Sequence, residues 1–158
     1  MKRAIEFTVR PIGRVNSARD EPIDDGWDRI ETTIELDPAE LEPDAVLGLS
    51  DFSHIEVVFL LDLVDPAKVC RGARHPRGNK HWPLTGILAQ PAKNRPNRIG
   101  VTICKLLSVD KNMLRVQGLD AIDGTPVLDI KPVMRGFLPR GEIREPNWAG
   151  ELTAGYWE

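Results

Sequence analysis

The sequence predicts an all-β protein, an antiparallel β-barrel of about six or seven strands with a short helix and an irregular C-terminal extension. Short apolar segments recur along the 158 residues and are separated by turn-forming residues, as in barrels built from short strands. The 13 glycines and 13 prolines make up about one residue in six, which disfavours a helical bundle. No segment reads as a long helix that could cross between parallel strands, so a doubly wound fold is disfavoured.

The N-terminal third is predicted to hold two strands and the short helix. Residues 5–9 alternate apolar and polar side chains, a pattern typical of a half-buried strand. Residues 32–36 predict the second strand. Asp37-Pro38 has the form of a helix N-cap followed by proline in the first turn, so a short helix is expected over residues 38–47.

The middle of the chain contains its most apolar segment. Residues 54–62 are almost continuously apolar, which predicts a strand buried on both faces. Residues 66–83 are rich in proline, glycine and positive charge and predict a loop. A short strand is expected over residues 85–89, followed by a second loop over residues 90–98.

Three further strands are expected, over residues 99–109, 113–119 and 125–131. Asp123-Gly124 is a strong signal for a tight turn, so the last two strands are predicted to form a hairpin around it.

These elements divide the chain into a barrel domain, residues 1–135, and a C-terminal extension, residues 136–158. The extension lacks periodicity but carries Trp148, Tyr156 and Trp157. We expect it to pack on the barrel or on a dimer partner.

The charges are distributed as two opposed blocks. The net charge of −3 hides 15 acidic residues against one basic residue over 20–65, and nine basic residues with no acidic residue over 66–109. The two blocks either neutralise each other across the folded surface or leave a basic surface that can meet phosphate.

Several function classes are excluded or disfavoured. No apolar run approaches the roughly 20 residues of a membrane span, and Met1-Lys2-Arg3 does not lead into a signal peptide. Two cysteines make no disulfide framework, so a reducing cytoplasm is expected. Cys70, His75 and His81 fit no zinc spacing, and no metal is predicted. Cys104 lies in an apolar strand and is expected in the core rather than as a nucleophile.

Four segments in this order resemble the TsaA-like (TrmO/YaeB) family. They are Pro11-Ile12-Gly13-Arg14-Val15, Gly48 to Ile55, Arg95-Pro96-Asn97, and Asp123 to Pro132, the last reading DGTPVLDIKP. The resemblance covers residues 6–135. It implies an S-adenosylmethionine-dependent methyltransferase on an antiparallel barrel, which N6-methylates N6-threonylcarbamoyladenosine at position 37 of tRNA. It also implies a homodimer with the cofactor near the subunit interface.

The resemblance and the residue chemistry together define a predicted site. The cofactor-binding residues are Ser53, His54, Arg95, Pro96, Asn97, Asp123, Gly124, Thr125, Asp129 and Lys131. Catalytic roles are assigned to His54 and Asp129, either of which could accept the proton that a nitrogen nucleophile loses. The predicted RNA-facing surface consists of Lys68, Arg71, Arg74, Arg77, Lys80, Lys93 and Arg98.

Several of these residues also have a simpler interpretation, and His54 could be a hydrogen-bonded core histidine instead of a binding residue. Arg95 is held extended by Pro96 and could grip a carboxylate with its forked guanidinium. Asn97 could read an adenine edge or only form a turn. At Asp123-Gly124, the glycine either lets the backbone approach a ligand closely or simply forms a turn. Asp129 and Lys131 share one strand face and could simply pair with each other.

The chain departs from the family pattern before Arg95-Pro96-Asn97, where Pro91 replaces an arginine and Asn94 an aromatic residue. These changes bear on an RNA or nucleobase substrate more than on the cofactor. The alternatives are therefore a methyltransferase of the same fold with another RNA or a small-molecule substrate, and a non-catalytic barrel that binds S-adenosylmethionine or RNA.

Overall fold

The computed structural model describes residues 5–158 and confirms the predicted antiparallel barrel. Its strands are β1 (Gly13–Asn16), β2 (Glu31–Leu36), β3 (His54–Leu60), β4 (Ala73–Arg74), β5 (Thr85–Gly86), β6 (Ile99–Asp110), β7 (Met113–Gln117) and β8 (Pro126–Pro132), and the described α-helix is α1 (Asn147–Thr153). Six strands close the barrel in the order β1-β2-β7-β6-β3-β8, with β8 pairing back to β1. Strands β4 and β5 form a separate two-stranded sheet.

The core lies inside the barrel, where every second side chain of each strand points inward. The alternation follows from the strand period, which points successive side chains to opposite faces. Full burial of each large aliphatic side chain contributes about 1.5–3 kcal/mol. The fully buried members are Val15, Ile34, Ile55, Val57, Leu114, Val116, Leu119 and Val127.

Strand β3 is buried on one face only, so the prediction of burial on both faces is wrong. Ile55, Val57 and Phe59 are buried, whereas the residues between them are half-buried. A closed barrel has a single inner face, and no described helix covers β3 from outside. Apolar residues on the outer face of β3 are therefore left partly open to solvent.

The predicted hairpin around Asp123–Gly124 is also wrong. The turn joins β7 to β8, but β7 pairs with β2 and β6, and β8 pairs with β1 and β3. The tight hairpin is β6–β7, whose two-residue turn is Lys111-Asn112 with Lys111 at φ 54°. Asn-Gly and Asp-Gly signals favour hairpins, and Lys-Asn gives a weaker version of that signal.

Two N-terminal predictions need correction. Residues 5–9 form no strand, and their three apolar side chains are exposed; the first strand begins at Gly13. Over 38–47 the chain forms a turn and then a 3-10 helix, Pro43–Val46, instead of an α-helix. The Asp37 carboxylate does accept a hydrogen bond from the Ala39 N–H at 2.8 Å, but Pro43 has no N–H with which to continue a helix.

The remaining strand predictions hold with shifted ends. Residues 32–36 and 99–109 are strands, and the strand expected over 85–89 is reduced to Thr85–Gly86 followed by a 3-10 turn. No described helix is long and apolar enough to cross a bilayer. The prediction made on Met1-Lys2-Arg3 lies outside the described residues.

The C-terminal extension lies against residues 26–28 of the same chain. The Tyr156 carbonyl accepts hydrogen bonds from the N–H groups of Gly26 at 2.9 Å and Trp27 at 3.1 Å. The Trp157 carbonyl accepts one from Asp28 at 3.0 Å. Helix α1, which sequence periodicity did not predict, buries Leu152. The domain division at residue 135 stays a prediction.

Candidate functional site

The outer face of β6, β3 and β8 carries several of the predicted site residues in regular rows. Val58 lies between Val101 and Asp129, and the next row places Glu56 between Ile103 and Lys131. Neighbouring strands are about 4.8 Å apart, so β6 and β8 are separated by roughly 10 Å across this face.

A β-bulge in β8 sends Asp129 to this outer face. Phe59 pairs with Val127 and Val58 with Asp129, so Leu128 is an extra residue on the β8 side. Without the bulge, Val127 and Asp129 would point the same way. With it, Val127 is fully buried in the core while the Asp129 side chain is half-exposed.

Asp129 and Lys131 pair with each other on this surface. Lys131 Nζ lies 2.8 Å from Asp129 Oδ2, in agreement with the simpler interpretation of these residues. The hydrogen bond and the negative charge of Asp129 raise the pKa of Lys131, with a further contribution from Glu56. An exposed pair of this kind contributes little to stability.

The β6 side of the same face is apolar and exposed. Ile99, Val101 and Ile103 are 42%, 55% and 46% exposed, respectively, and their row neighbours on β3 include Val58 and Leu60. Contiguous exposed apolar side chains are typical of surfaces that take part in binding.

His54 begins β3 and lies far from Asp129. The Ser53 hydroxyl and His54 Nδ1 are 2.7 Å apart, so these two predicted residues are hydrogen-bonded to each other. Val58, the pairing partner of Asp129, is four residues along the strand from His54, or about 13 Å. The structure therefore does not bring the two predicted catalytic residues together within one chain.

The loop that carries Arg95, Pro96 and Asn97 is held in an unusual conformation. Arg95 is extended at φ −106°, as Pro96 requires, and is followed by two left-handed residues, Asn97 at φ 63° and Arg98 at φ 52°. Two consecutive non-glycine residues in this region carry a conformational cost. The Asn97 side chain is exposed and bonds no residue that the structure describes.

Two arginines fix the shape of this loop. Arg95 Nη1 donates to the Gln90 carbonyl at 2.8 Å, and Arg98 Nη1 donates to the Val64 carbonyl at 2.8 Å. The other N–H groups of the Arg95 side chain donate to no residue that the structure describes. The loop thus presents the Asn97 amide outward from a supported backbone.

Asp123 and Thr125, in the turn before β8, form hydrogen bonds within the protein itself. Asp123 Oδ1 accepts a hydrogen bond from the Ser17 N–H at 3.0 Å, and Thr125 is buried with its hydroxyl donating to the Ile122 carbonyl at 2.7 Å. Gly124 has the expected positive φ, 78°. The turn precedes the N-terminal end of β8, on the same side of the barrel as residues 95–98 and opposite to His54.

The predicted RNA-facing cations fall into two groups. Arg77 pairs with Asp25 at 2.9 Å, Arg98 is used in the loop, and Arg74 is half-buried. Four members of the predicted set are exposed and have no ion-pair partner among residues 5–158: Lys68, Arg71, Lys80 and Lys93.

A polar network at one end of the barrel was missed by sequence reasoning. Asp120 accepts hydrogen bonds from the hydroxyls of Thr102 and Tyr156, which are far apart in sequence. Burial and the charge of Asp120 raise the pKa of Tyr156, and they raise the pKa of Cys104 to about 12. Cys104 is therefore an inert core thiol, as predicted.

Within the described chain, no three or more His, Cys, Asp or Glu side chains are grouped as metal ligands would be. The described chain is thus a small closed β-barrel with a strained polar loop at one end and an outer face that is apolar on the β6 side and charged on the β8 side.

Comparison with known proteins places the chain in a family. The family model described as the tRNA-methyltransferase O N-terminal domain matches residues 15–137, and the chain belongs to that family. This result confirms the resemblance found from the sequence.

Relatives and solved structures agree with the assignment. A protein of Methanothermobacter thermautotrophicus named probable S-adenosyl-L-methionine-binding protein is 39% identical over 132 residues, covering 81% of this chain and 90% of its own. A putative S-adenosylmethionine-dependent methyltransferase RcsF of Pseudomonas aeruginosa is 36% identical over 151 residues, covering 88% of this chain and 58% of its own. A crystal structure of TrmO from P. aeruginosa has a TM-score of 0.74 and 27% identity, covering 94% of this chain and 64% of its own. The chain thus spans less than two thirds of the last two proteins.

Proposed function

We propose that this protein is an S-adenosylmethionine-dependent methyltransferase that transfers a methyl group to N6 of N6-threonylcarbamoyladenosine at position 37 of tRNA. Mouse and human relatives, 36% and 33% identical over 93 and 102 residues, are named tRNA (adenine(37)-N6)-methyltransferase. The observation that carries the proposal is the loop 95–98, where two consecutive left-handed residues hold the free Asn97 amide outward in a segment typical of the family.

The residues available fit the chemistry of S-adenosylmethionine. Its carboxylate is matched by the remaining N–H groups of Arg95, and its ammonium by the carboxylates of Asp129 and Glu56 on the outer face. Its adenine has hydrogen-bonding edges that suit the Asn97 amide, and its apolar surface suits Ile99 and its neighbours on β6.

When bound, S-adenosylmethionine supplies an activated methyl group on a positively charged sulfur. The chain then has to hold the donor and the acceptor nitrogen in line, which can lower the barrier by about 7–11 kcal/mol. The acceptor nitrogen also releases a proton. His54 is the better acceptor of the two predicted residues, because Asp129 is engaged by Lys131 while His54 Nε2 has no partner among the described residues.

Within one chain, His54 lies far from the loop 95–98. His54 and Leu60 mark opposite ends of β3, and six strand residues span about 20 Å. A site that uses both His54 and the loop 95–98 is therefore completed by a second copy. The exposed apolar row of β6 is the surface on which we propose that the homodimer forms. We expect this enzyme in the cytoplasm with its tRNA.

Mixing two inactive variants tests this arrangement directly. His54→Ala and Arg95→Ala are each expected to lack activity, and a mixture refolded together is expected to regain it, because each mixed dimer contains one intact site. Each variant refolded alone is the control. If the mixture stays inactive while native mass spectrometry shows that mixed dimers have formed, the two-chain site is refuted.

The RNA-facing surface is proposed to be the four exposed cations Lys68, Arg71, Lys80 and Lys93. Each phosphate contact that is lost should lower the slope of log affinity against log salt by about 0.7–0.9. Lys80→Ala and Lys93→Ala together are therefore expected to reduce the slope for tRNA by somewhat under two. Lys111→Ala, in the β6–β7 turn, is the matched control. An unchanged slope in the double variant would remove this surface from the tRNA interface.

A nucleoside analysis distinguishes the proposed function from its alternatives. Protein, tRNA and S-adenosylmethionine are incubated, and the tRNA is digested and analysed by mass spectrometry. The expected product is methylated N6-threonylcarbamoyladenosine. A methylated product of another kind indicates a different substrate, and binding of S-adenosylmethionine without any turnover indicates a non-catalytic barrel.

A further inference from the structure

The loop 90–95 contains a buried glutamine whose bonds lead directly to Arg95. Gln90 is only 5% exposed, and its Nε2 donates to two backbone carbonyls, those of Arg74 at 3.0 Å and Thr85 at 2.8 Å. Arg74 and Thr85 are paired residues of β4 and β5, so one amide group clamps that small sheet. Both N–H groups of the amide are thereby used.

The clamp continues through the backbone of the same residue. The Gln90 carbonyl accepts the hydrogen bond from Arg95 Nη1 at 2.8 Å. The side chain fixes the position of residue 90, and the carbonyl of residue 90 then fixes one edge of the Arg95 guanidinium. A guanidinium is planar, so one fixed edge also sets the direction of its remaining N–H groups.

We propose that Gln90 is a positioning residue that aims Arg95 at the carboxylate of S-adenosylmethionine. This inference rests on the proposed function. Gln90 does not touch the ligand itself; it connects the β4–β5 sheet to the arginine that does. It lies next to Pro91, in the segment that precedes Arg95.

A double-mutant cycle separates positioning from general structural support. In the unaltered background, Gln90→Ala is expected to raise the Kd for S-adenosylmethionine on the order of tenfold, because Arg95 loses its fixed direction. In the Arg95→Ala background the same change is expected to leave the Kd unchanged, because the residue through which Gln90 acts is absent. Any loss of thermal stability should occur in both backgrounds.

A matched control and a milder variant complete the experiment. Gln117→Ala removes another glutamine amide, which donates to the Asp28 carbonyl at 2.9 Å, and is expected to leave the Kd unchanged in both backgrounds. If Gln90→Ala does not fold, the cycle is made with Gln90→Asn, which keeps both donors on a shorter stem and should give a smaller effect of the same kind.

The outcomes are distinct. If the unaltered chain binds S-adenosylmethionine but Gln90 substitutions weaken binding equally with and without Arg95, or do not weaken it at all, the positioning role is overturned while the proposed function stands. If the unaltered chain does not bind S-adenosylmethionine, the proposed function fails and the role of Gln90 fails with it.

Discussion

Substitution of Asn97 separates the backbone role of this residue from its side-chain role. Asn97 is exposed at φ 63° and ψ −9°, and its amide bonds no residue that the structure describes. Asn97→Gly keeps a residue that adopts this conformation freely but removes the amide. Asn97→Ala removes the same amide and places a Cβ in a region that favours glycine.

The two variants should therefore differ in stability but not in affinity. Alanine in the left-handed region costs about 1–2 kcal/mol. Glycine avoids this strain, but it loses about 0.5–1 kcal/mol more chain entropy on folding, so the two effects largely cancel. We expect Asn97→Gly to melt near the unaltered protein and Asn97→Ala to melt roughly 2–4 °C lower for each kcal/mol lost. Loss of one hydrogen bond to the ligand should weaken S-adenosylmethionine binding by about twofold to tenfold in both.

Calorimetric titration and thermal melts on the same samples measure both quantities. Lys111→Gly is the control, because Lys111 has a similar φ of 54° but lies in the β6–β7 turn, and it should change stability alone. Normal binding by Asn97→Gly would refute a ligand role for the amide. Equal destabilisation by glycine and alanine would refute the assignment of strain to this position.

Three further predictions concern the barrel itself. Gly100→Ala should lower the free energy of unfolding by about 1–3 kcal/mol, because the added Cβ would lie 2.4 Å from the buried Phe59 ring. Denaturant melts measure this loss. Gly86→Ala is the control and should unfold normally, because no atom lies within 4 Å of its added Cβ. Val101→Lys should shift the sedimentation of the protein to that of a monomer without unfolding it, and a dimer that persists would contradict the proposed interface. The free energy of unfolding should fall above pH 9, by up to about 1.4 kcal/mol per pH unit for the Cys104 thiol. The reason is that the folded thiol, with a pKa of about 12, keeps its proton while the thiol of the unfolded chain ionises. Cys104→Ala should reduce this slope between pH 9 and 12, leaving the part due to Tyr156, whose pKa is also raised; an unchanged slope would show that the thiol is not responsible.

Local sequence signals predicted the barrel because they act within a few residues. The strand over 32–36, the turn at Gly124 and the extended Arg95 before Pro96 depend on side-chain alternation, positive φ and the proline ring. The buried Cys104 follows from its place in an apolar strand. Each of these features is determined by residues within a few positions of it in the sequence.

Pairing and side-chain direction could not be predicted in the same way. The hairpin around Asp123–Gly124 failed because a turn signal does not say which strands it joins in a closed sheet. The bulge at Leu128, which points Asp129 outward, depends on register with β3. Ile5, Phe7 and Val9 alternate like a strand, yet the described chain gives them nothing to pair with.

The candidate site was predicted as one cluster, and the structure divides it. Asn97 and Asp123 lie toward one end of β3, and His54 lies at the other. Sequence motifs show which residues belong to a family pattern but not how far apart the fold holds them. The support supplied by Gln90 was not predicted, because its partners Arg74 and Thr85 meet it only through the β4–β5 pairing.

The most direct test of the central claim is transfer of an isotope-labelled methyl group from S-adenosylmethionine to tRNA. We predict that the label is recovered in N6-threonylcarbamoyladenosine from position 37, that it requires this modified nucleoside in the tRNA, and that Asn97→Gly slows its appearance. Absence of label in tRNA, from protein that is folded and binds S-adenosylmethionine, would contradict the account.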